Sequence, residues 1–352
     1  MRLSWRQIQV PFRPLRPATH GAEPALRPLV VVELTASDGA CGHGEAAPLV
    51  SYDGVSVQRT LAALARYADV LATADGLTQE DQLAACAQAD PLPQALAAID
   101  LALWDLAGKR AAKPVWQLLG GHAGGRIPVN ATIGALGASA AAREAAAAEQ
   151  AGFHAIKVKV GTDEDEGRLA AVRAAAGPRM LVRVDANGVW TESEAPERIR
   201  DLTRFGIELF EEPVRGYQAN ASLASHLPDV TIALDESGRD DPNAYLQRGC
   251  AAVCLKISGN GGITGVLAAA GAARAAGYQV YLASTLDGLL GIAAALQVAI
   301  ALGPDRHCGL ATLDHFAWQT PLRPEQGMMS APAGTGLGDG LIDWYRPAEM
   351  GG

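Results

Sequence analysis

Between residues 155 and 258 the chain reads AIKVKVG (155–161), LVRVDAN (181–187), IELFEEP (207–213), TIALDES (231–237) and AVCLKIS (252–258), with Ala-rich or charged stretches between them. Each run is short, rich in β-branched and aliphatic residues, and carries a lysine or a carboxylate near its end. Short strands alternating with helix-forming text are the pattern of parallel βα units. The pattern extends outward to VNATIG (129–134) on one side and to QVYLAST (279–285) and HCGLATL (307–313) on the other. Eight such runs within about 190 residues fit one closed β/α barrel better than an open sheet. The stretch ASAAAREAAAAEQAG (138–152) looks low in complexity, yet its helix propensity between two strands makes it a barrel helix.

Ahead of the barrel, residues 1–124 read as a separate unit. It starts extended, continues through LVVVELTAS (29–37) as a strand, and reaches the Gly- and Pro-punctuated loop CGHGEAAPLVSYDGVS (41–56). From Pro93 to Ala112, Leu96, Ile99, Leu103 and Leu106 recur at helical spacing, with the proline near the helix start. The Gly-rich GGHAGGRIP (120–128) marks a boundary. The barrel is then expected over 125–320, and a Gly- and Pro-rich segment, 321–352, is expected to return to the first unit.

With 352 residues, 49% of them hydrophobic, the chain can bury a large core, which excludes a disordered or fibrous protein. Its net charge of −9 argues against nucleic acid or an anionic membrane as the main partner. The N-terminal MRLSWRQIQVPFRPLRP lacks the apolar run of a signal peptide, so a cytoplasmic protein is expected. Leu289 to Leu302 is shorter than the roughly 20 residues of a membrane span and reads as a buried helix. The five cysteines are scattered without a C-x-x-C pair, and the seven histidines show no ligand spacing. Neither a disulfide framework nor a zinc site is indicated. Only five of the 29 basic residues are lysines: 109, 113, 157, 159 and 256. Arginine serves well as surface charge, so a lysine kept in such a background marks a place where a tunable amine is needed.

Along the barrel, the polar residues at successive strand ends are Lys157 and Lys159, Asp185, Glu211, Asp235 and Lys256. From Lys159 onward they are 26, 26, 24 and 21 residues apart, about one βα unit each. Five consecutive strands therefore point these groups into one mouth, the face where active sites of this architecture lie. Lys157 and Lys159, two apart on a strand, share a side, and burying both against the outer helices would be costly. Three converging carboxylates repel one another unless a cation neutralises them. Hard oxygen donors suit Mg2+, with Mn2+ an acceptable substitute. Lys159 and Lys256 would face each other across a substrate carboxylate, and neighbouring cations and burial are expected to lower a lysine pKa enough for it to act as a base. The metal would stabilise the enolate formed when a proton alpha to a carboxylate is removed.

These residues resemble the enolase superfamily, and within it the muconate lactonizing enzyme subgroup. The resemblance is carried by the K-x-K of AIKVKVG, RVDANGVW around Asp185, FEEP around Glu211, ALDES around Asp235 and LKISGNGG around Lys256, together with IDLALWDLAGKRAAKPVWQLLGG (99–121) and GEAAPLVSYDG (44–54). It covers nearly the whole chain. It implies an α/β fold, a (β/α)7β TIM-like barrel under an N-terminal α+β capping domain, with GEAAPLVSYDG a mobile loop closing over the site. A lysine base acting with Mg2+ is a general property of the superfamily. The resemblance implies Asp185, Glu211 and Asp235 as metal ligands and Lys159 and Lys256 as the acid/base pair. It also implies Lys157 as a substrate-carboxylate contact that modulates Lys159. Glu212, Asn187 and Glu236 are expected to orient these groups. Ser284 and Asp287 are placed to contact substrate or to cap the following helix.

Three reactions on a small-molecule carboxylate stay open. They are dehydration of the o-succinylbenzoate synthase type, epimerization of dipeptides or racemization of N-acyl amino acids, and cycloisomerization. Dipeptide epimerases commonly carry Asp-x-Asp near the eighth strand, where GLATLDHF offers only Asp314, and cycloisomerases often carry a lysine where Gly259 stands. NATIG, GFHAIKVKVG, IELFEEP and GLATLD look like o-succinylbenzoate synthase text, which makes dehydration the preferred expectation. A catalytically silent binding barrel would have no chemical reason to keep both lysines and all three carboxylates. Barrels of this family often associate, so a homo-oligomer is a further expectation.

Overall fold

The computed structural model describes residues 1–12, 26–122, 125–241 and 243–346. Strands β1 (Arg2–Pro11), β2 (Leu26–Thr35) and β3 (Cys41–Ala46) form an antiparallel meander with β2 in the centre. The apolar run Leu29–Val32 is continuous because β2 is covered on both faces. Val30 and Val32 pack with the helices of the capping unit, whereas Leu29 and Val31 join the core shared with the barrel. The helices are α1 (Val50–Asp53), α2 (Val57–Ala72), α3 (Gln79–Ala89), α4 (Pro93–Arg110) and α5 (Val115–Leu118). Ser56 and Thr78 cap α2 and α3 by accepting the Arg59 and Asp81 amides, and Pro93 opens α4, where no N–H is needed.

Helix α4 lies directly on β3, and two glycines make that approach feasible. A Cβ at Gly42 would sit 2.0 Å from the Ala102 carbonyl oxygen, and one at Gly44 2.0 Å from that of Ala98. Glycine inside a strand marks such a backbone approach. Gly44→Ala is expected to destabilise the protein by about 3 kcal/mol, read from the midpoint of urea unfolding. An unchanged midpoint would show that α4 can move off the sheet.

The barrel begins after β4 (Arg126–Pro128) with β5 (Ala131–Ile133) and α6 (Ala138–Gln150). It continues with β6 (Ala155–Lys159), α7 (Asp165–Ala176), β7 (Leu181–Asp185), α8 (Ala195–Thr203), β8 (Ile207–Glu211) and α9 (Tyr217–His226). The last turns are β9 (Ile232–Leu234), α10 (Glu236–Asp240), β10 (Ala252–Lys256), α11 (Ile263–Ala275), β11 (Gln279–Ala283) and α12 (Leu289–Leu302). Strands β5 to β11 are parallel and paired in sequence order. Helix α12 is the buried helix expected from its apolar run.

The eighth run, HCGLATL, is not a full strand, yet it closes the sheet. On one side the Cys308 amide donates to the Pro128 carbonyl at 2.8 Å and Asn130 donates to Cys308 at 3.0 Å. On the other, Gly309 donates to Leu282 at 2.8 Å and Ser284 to Gly309 at 3.1 Å. The result is a (β/α)7β barrel whose last strand is only a pair of bridges. The C-terminal segment contacts the capping unit through Leu337 N to Asp105 at 2.9 Å and Tyr345 to Glu45. It also pairs with the barrel, because β12 (Met328–Ser330) runs antiparallel to β4. Among the described residues no helix is long and apolar enough to cross a membrane.

Candidate active site

The register of the parallel sheet places Lys159 beside Asp185 and Asp185 beside Glu211, so neighbouring strand ends bring a lysine and two carboxylates into one row. Asp235 follows β9 directly, and Lys256 ends β10. Lys157 and Lys159 share the inward face of β6, since alternate residues of a strand point the same way. Asp185, Glu211 and Asp235 are buried to 2% exposure or less. The Lys157 ammonium donates to Asp185 Oδ2 at 3.0 Å and Glu211 Oε1 at 3.1 Å. Lys159 donates to Asp185 Oδ2 at 2.7 Å and Asn187 Oδ1 at 2.6 Å. Lys256 donates to Asp235 Oδ2 at 2.6 Å.

These pairs decide the electrostatics. Burial alone would push the Asp185 carboxyl up, but the Lys157 and Lys159 ammoniums hold it well below its ordinary range. Glu211 is raised, by burial first and by Asp185 and Asp235 in addition, against the pull of Lys157. Burial works to lower the Lys256 ammonium, yet Asp235 outweighs it and the pKa rises. Lys157 rises for the same reason, with Asp185 and Glu211 outweighing burial. The expected lowering of a lysine pKa is thus not what Lys256 shows, because Asp235, 2.6 Å away, outweighs burial.

Around these groups a second set of side chains holds the geometry. Glu212 has a positive φ of 40°, a conformation uncommon outside glycine. It accepts the Asp235 amide at 2.7 Å and the Ser237 amide at 3.2 Å, and burial together with Glu236 raises its pKa to about 8. Asn187, at φ 46°, bridges Lys159 to Glu236, donating to Glu236 Oε1 at 3.1 Å. Burial, then Asp235, raises Glu236 to about 7.

Ser284 lines the pocket, and its hydroxyl accepts the Asp287 amide at 2.9 Å. Asp287, expected either to contact substrate or to cap the following helix, is not among the pocket-lining residues: its carboxylate accepts the Thr285 amide at 3.0 Å and hydroxyl at 3.1 Å, which closes the turn before α12. The structure also adds two residues to which the sequence assigned no role, one of them within the loop GEAAPLVSYDG. The Tyr281 hydroxyl donates to Glu211 Oε2 at 2.9 Å, and the Tyr52 hydroxyl, from α1 of the capping unit, donates to Asp235 Oδ1 at 2.9 Å and accepts from Lys256 at 2.7 Å. Tyr281 was within reach of strand alternation, lying two residues before Ala283 on an inward face. Tyr52 was not, because its partners lie 183 and 204 residues away.

The pocket above the lysines has a volume of ≈ 780 Å³. One wall is lined by the three lysines with Glu212 and Glu236, while Asp185, Glu211 and Asp235 do not themselves line the pocket and are hydrogen-bonded to the lysines. The opposite wall, from β5, β11 and the 307–312 segment, is small and uncharged: Thr132, Gly134, Ala135, Ala283, Ser284 and Thr312. Oxygens of Glu211 and Asp235 lie within 4.8 Å of each other, and of the Cys254 sulfur, with Asp185 adjacent in register to Glu211. Cys254 is held protonated by burial first and by Asp235 and Glu211 next, so the available donors are hard carboxylate oxygens, which fit Mg2+.

Residues 140–342 match the enolase C-terminal domain-like family model, and residues 3–120 match the mandelate racemase / muconate lactonizing enzyme N-terminal domain. A hydrophobic dipeptide epimerase of Enterococcus faecalis is 30% identical over 285 residues, 77% of this chain and 78% of that protein. The o-succinylbenzoate synthase of Thermobifida fusca is 37% identical over 215 residues, 58% of this chain and 66% of that protein. The crystal structure of a dipeptide epimerase from Cytophaga hutchinsonii, complexed with Mg and D-Ala-L-Val, superposes with a TM-score of 0.86 at 26% identity, covering 97% of this chain and 98% of that one. The expectation of a synthase is therefore weakly supported, since the epimerase likeness runs over more of the chain. The capped barrel, its ring of lysines and carboxylates, and both matched halves make this chain a metal-dependent enzyme of the enolase superfamily, belonging to the mandelate racemase / muconate lactonizing enzyme family.

Proposed function

We propose that the protein inverts the α-carbon of an amino acid held in amide linkage, as a dipeptide epimerase or an N-acyl amino acid racemase. One observation carries this reading. Lys159 ends β6 and Lys256 follows four strands later at the end of β10, so in the closed barrel three strands separate them in either direction. The two amines thus face each other across the pocket, as a reaction that takes a proton from one face and returns it to the other requires. Asp185, Glu211 and Asp235 would hold Mg2+ on the wall between them. Bound there, Mg2+ would supply positive charge against the negative charge that builds on the substrate carboxylate as its α-proton leaves. Lys157, buried between Asp185 and Glu211, adds positive charge beside that carboxylate.

The substrate nitrogen would face the uncharged wall. Thr312, with a buried hydroxyl lacking a partner among the described residues, lines that wall, and Asp314 is exposed outside the pocket. The amide nitrogen of either substrate class fits such a surface, whereas the free ammonium of a dipeptide would find no counter-charge on that wall and would have to lie elsewhere in the pocket. Dehydration of the synthase type is the second reading, supported by the Thermobifida fusca likeness, and it requires only one lysine as base. The test is incubation with Mg2+ in D2O with L,L-dipeptides, N-succinyl L-amino acids and the cyclohexadiene substrate of the synthases, followed by NMR. Inverted product carrying α-deuterium is expected from at least one amide-linked substrate. Dehydration with no inversion of any amino acid would overturn the proposal.

A further inference from the structure

The two lysines are held by different parts of the molecule. An amine nitrogen has four tetrahedral directions, one of them the bond to Cε. When two more are directed at acceptors, the fourth is the one left for a substrate α-carbon. For Lys159 both acceptors, Asp185 and Asn187, belong to β7 and the turn after it, so the barrel alone aims this amine. For Lys256 one acceptor is Asp235 of the barrel and the other is the Tyr52 hydroxyl of the capping unit.

Tyr52 is itself seated from both sides. Its helix α1 is closed by Asp53, whose carboxylate accepts the Leu49 amide at 3.1 Å and the Val55 amide at 2.9 Å and is held to α4 by Gln94 at 3.0 Å. From the barrel, the Arg239 guanidinium carbon lies 5.1 Å from the Tyr52 ring centroid, and Lys256 Nζ lies 4.1 Å from it. Cations within about 6 Å of an aromatic ring are attracted to it. Gly259 makes room for the arginine, since a Cβ there would lie 3.0 Å from Arg239 Cδ. Arg239 Nε donates to Asp240 Oδ1 at 2.6 Å, while Nη1 is buried with no hydrogen-bond partner among the described residues.

We infer that Tyr52 is the positioning residue of Lys256, so that proton transfer on the Lys256 face depends on the seated capping helix while transfer on the Lys159 face does not. This assignment rests on the two-lysine reading above. It makes the enzyme asymmetric: one base is set by the barrel, and the other is completed only when the cap is in place.

The test uses Tyr52→Phe, which keeps the ring and removes only the hydroxyl. With Mg2+ in D2O, initial α-deuterium uptake is measured separately from each epimer of a substrate that the wild type turns over, the Lys256-facing epimer being the one that loses uptake in Lys256→Ala. Uptake from that epimer is expected to fall about tenfold, the loss of one hydrogen bond to a charged group, and uptake from the other to stay within about twofold. Arg239→Gln is expected to act on the same epimer, about threefold, through a looser ring. Equal losses from both epimers, or none, would overturn the assignment. A second measurement does not depend on turnover. In protein labelled with 15N at its five lysines, Tyr52→Phe is expected to shift the Lys256 side-chain signal and speed its hydrogen exchange, leaving Lys159 unchanged. An unmoved Lys256 signal would overturn the inference, whereas a wild type that exchanges no candidate substrate would count against the proposed reaction and leave this measurement to decide the role of Tyr52.

Discussion

Lys159→Ala and Lys256→Ala are each expected to lower inversion of an amide-linked amino acid by about three orders of magnitude, within the range for loss of a positioned acid or base. The reason is that a turnover uses both amines, one to remove a proton and the other to return one. The two variants should differ in what survives. Each retains the base on one face, so each should still exchange the α-hydrogen of one epimer with solvent, and the retained epimer should be opposite in the two variants. Arginine should not restore either activity, because a guanidinium does not give up its proton near neutral pH. Chiral chromatography gives the inversion rate and NMR in D2O gives the exchange. Full inversion by either variant would sink the two-base reading, and loss of exchange on both faces from one substitution would point to a single base, as the dehydration reading has it.

The second large effect is expected at Asp235. Its carboxylate has three roles in the structure: a candidate ligand whose oxygens lie within 4.8 Å of those of Glu211, the partner of Lys256, and the acceptor of the Tyr52 hydroxyl. Asp235→Asn keeps the shape and removes the charge. Mg2+ affinity should fall by about two orders of magnitude, because a neutral amide is a poorer donor to a hard cation. Calorimetric titration with Mg2+ measures this directly, and the rise in Tm that Mg2+ produces in the wild type should shrink in parallel. The metal-free variant should also lose about 3 kcal/mol of stability, since the buried Lys256 ammonium is left without its ion partner. Unchanged Mg2+ affinity would remove Asp235 from the ligand set and place the ion elsewhere.

Much of the site was legible in the residues. Five strand ends, spaced by about one βα unit, carried the two lysines proposed as bases, their companion Lys157 and the three carboxylates, and the structure brings all six side chains together. Glu212, Asn187 and Glu236 also lie where they were expected. For Asp287 the sequence left two uses open, substrate contact or a cap, because nothing local chooses between them, and in the structure its carboxylate closes the turn ahead of α12. The eighth strand was located but overstated: HCGLATL has strand composition, yet it is bonded on both edges only around Cys308 and Gly309 before the chain turns away.

The amino-acid sequence by itself determined the order of strands and helices and the polar residue at each strand end, because side-chain alternation and helix periodicity are set within a few residues. Tertiary structure alone decided how the two units meet. Arg27 is buried at 1% exposure and donates to the carbonyls of Ala47 and Pro48 in the capping loop and of Thr285 and Leu286 after β11, a role no local pattern announces. Tyr52 reaches Lys256 across 204 residues, and the net direction of the Lys256 pKa follows from which charge is nearest rather than from composition. Such contacts are made only when the capping unit docks on the barrel, so the seating of the Tyr52 hydroxyl between Lys256 and Asp235 became visible only in three dimensions.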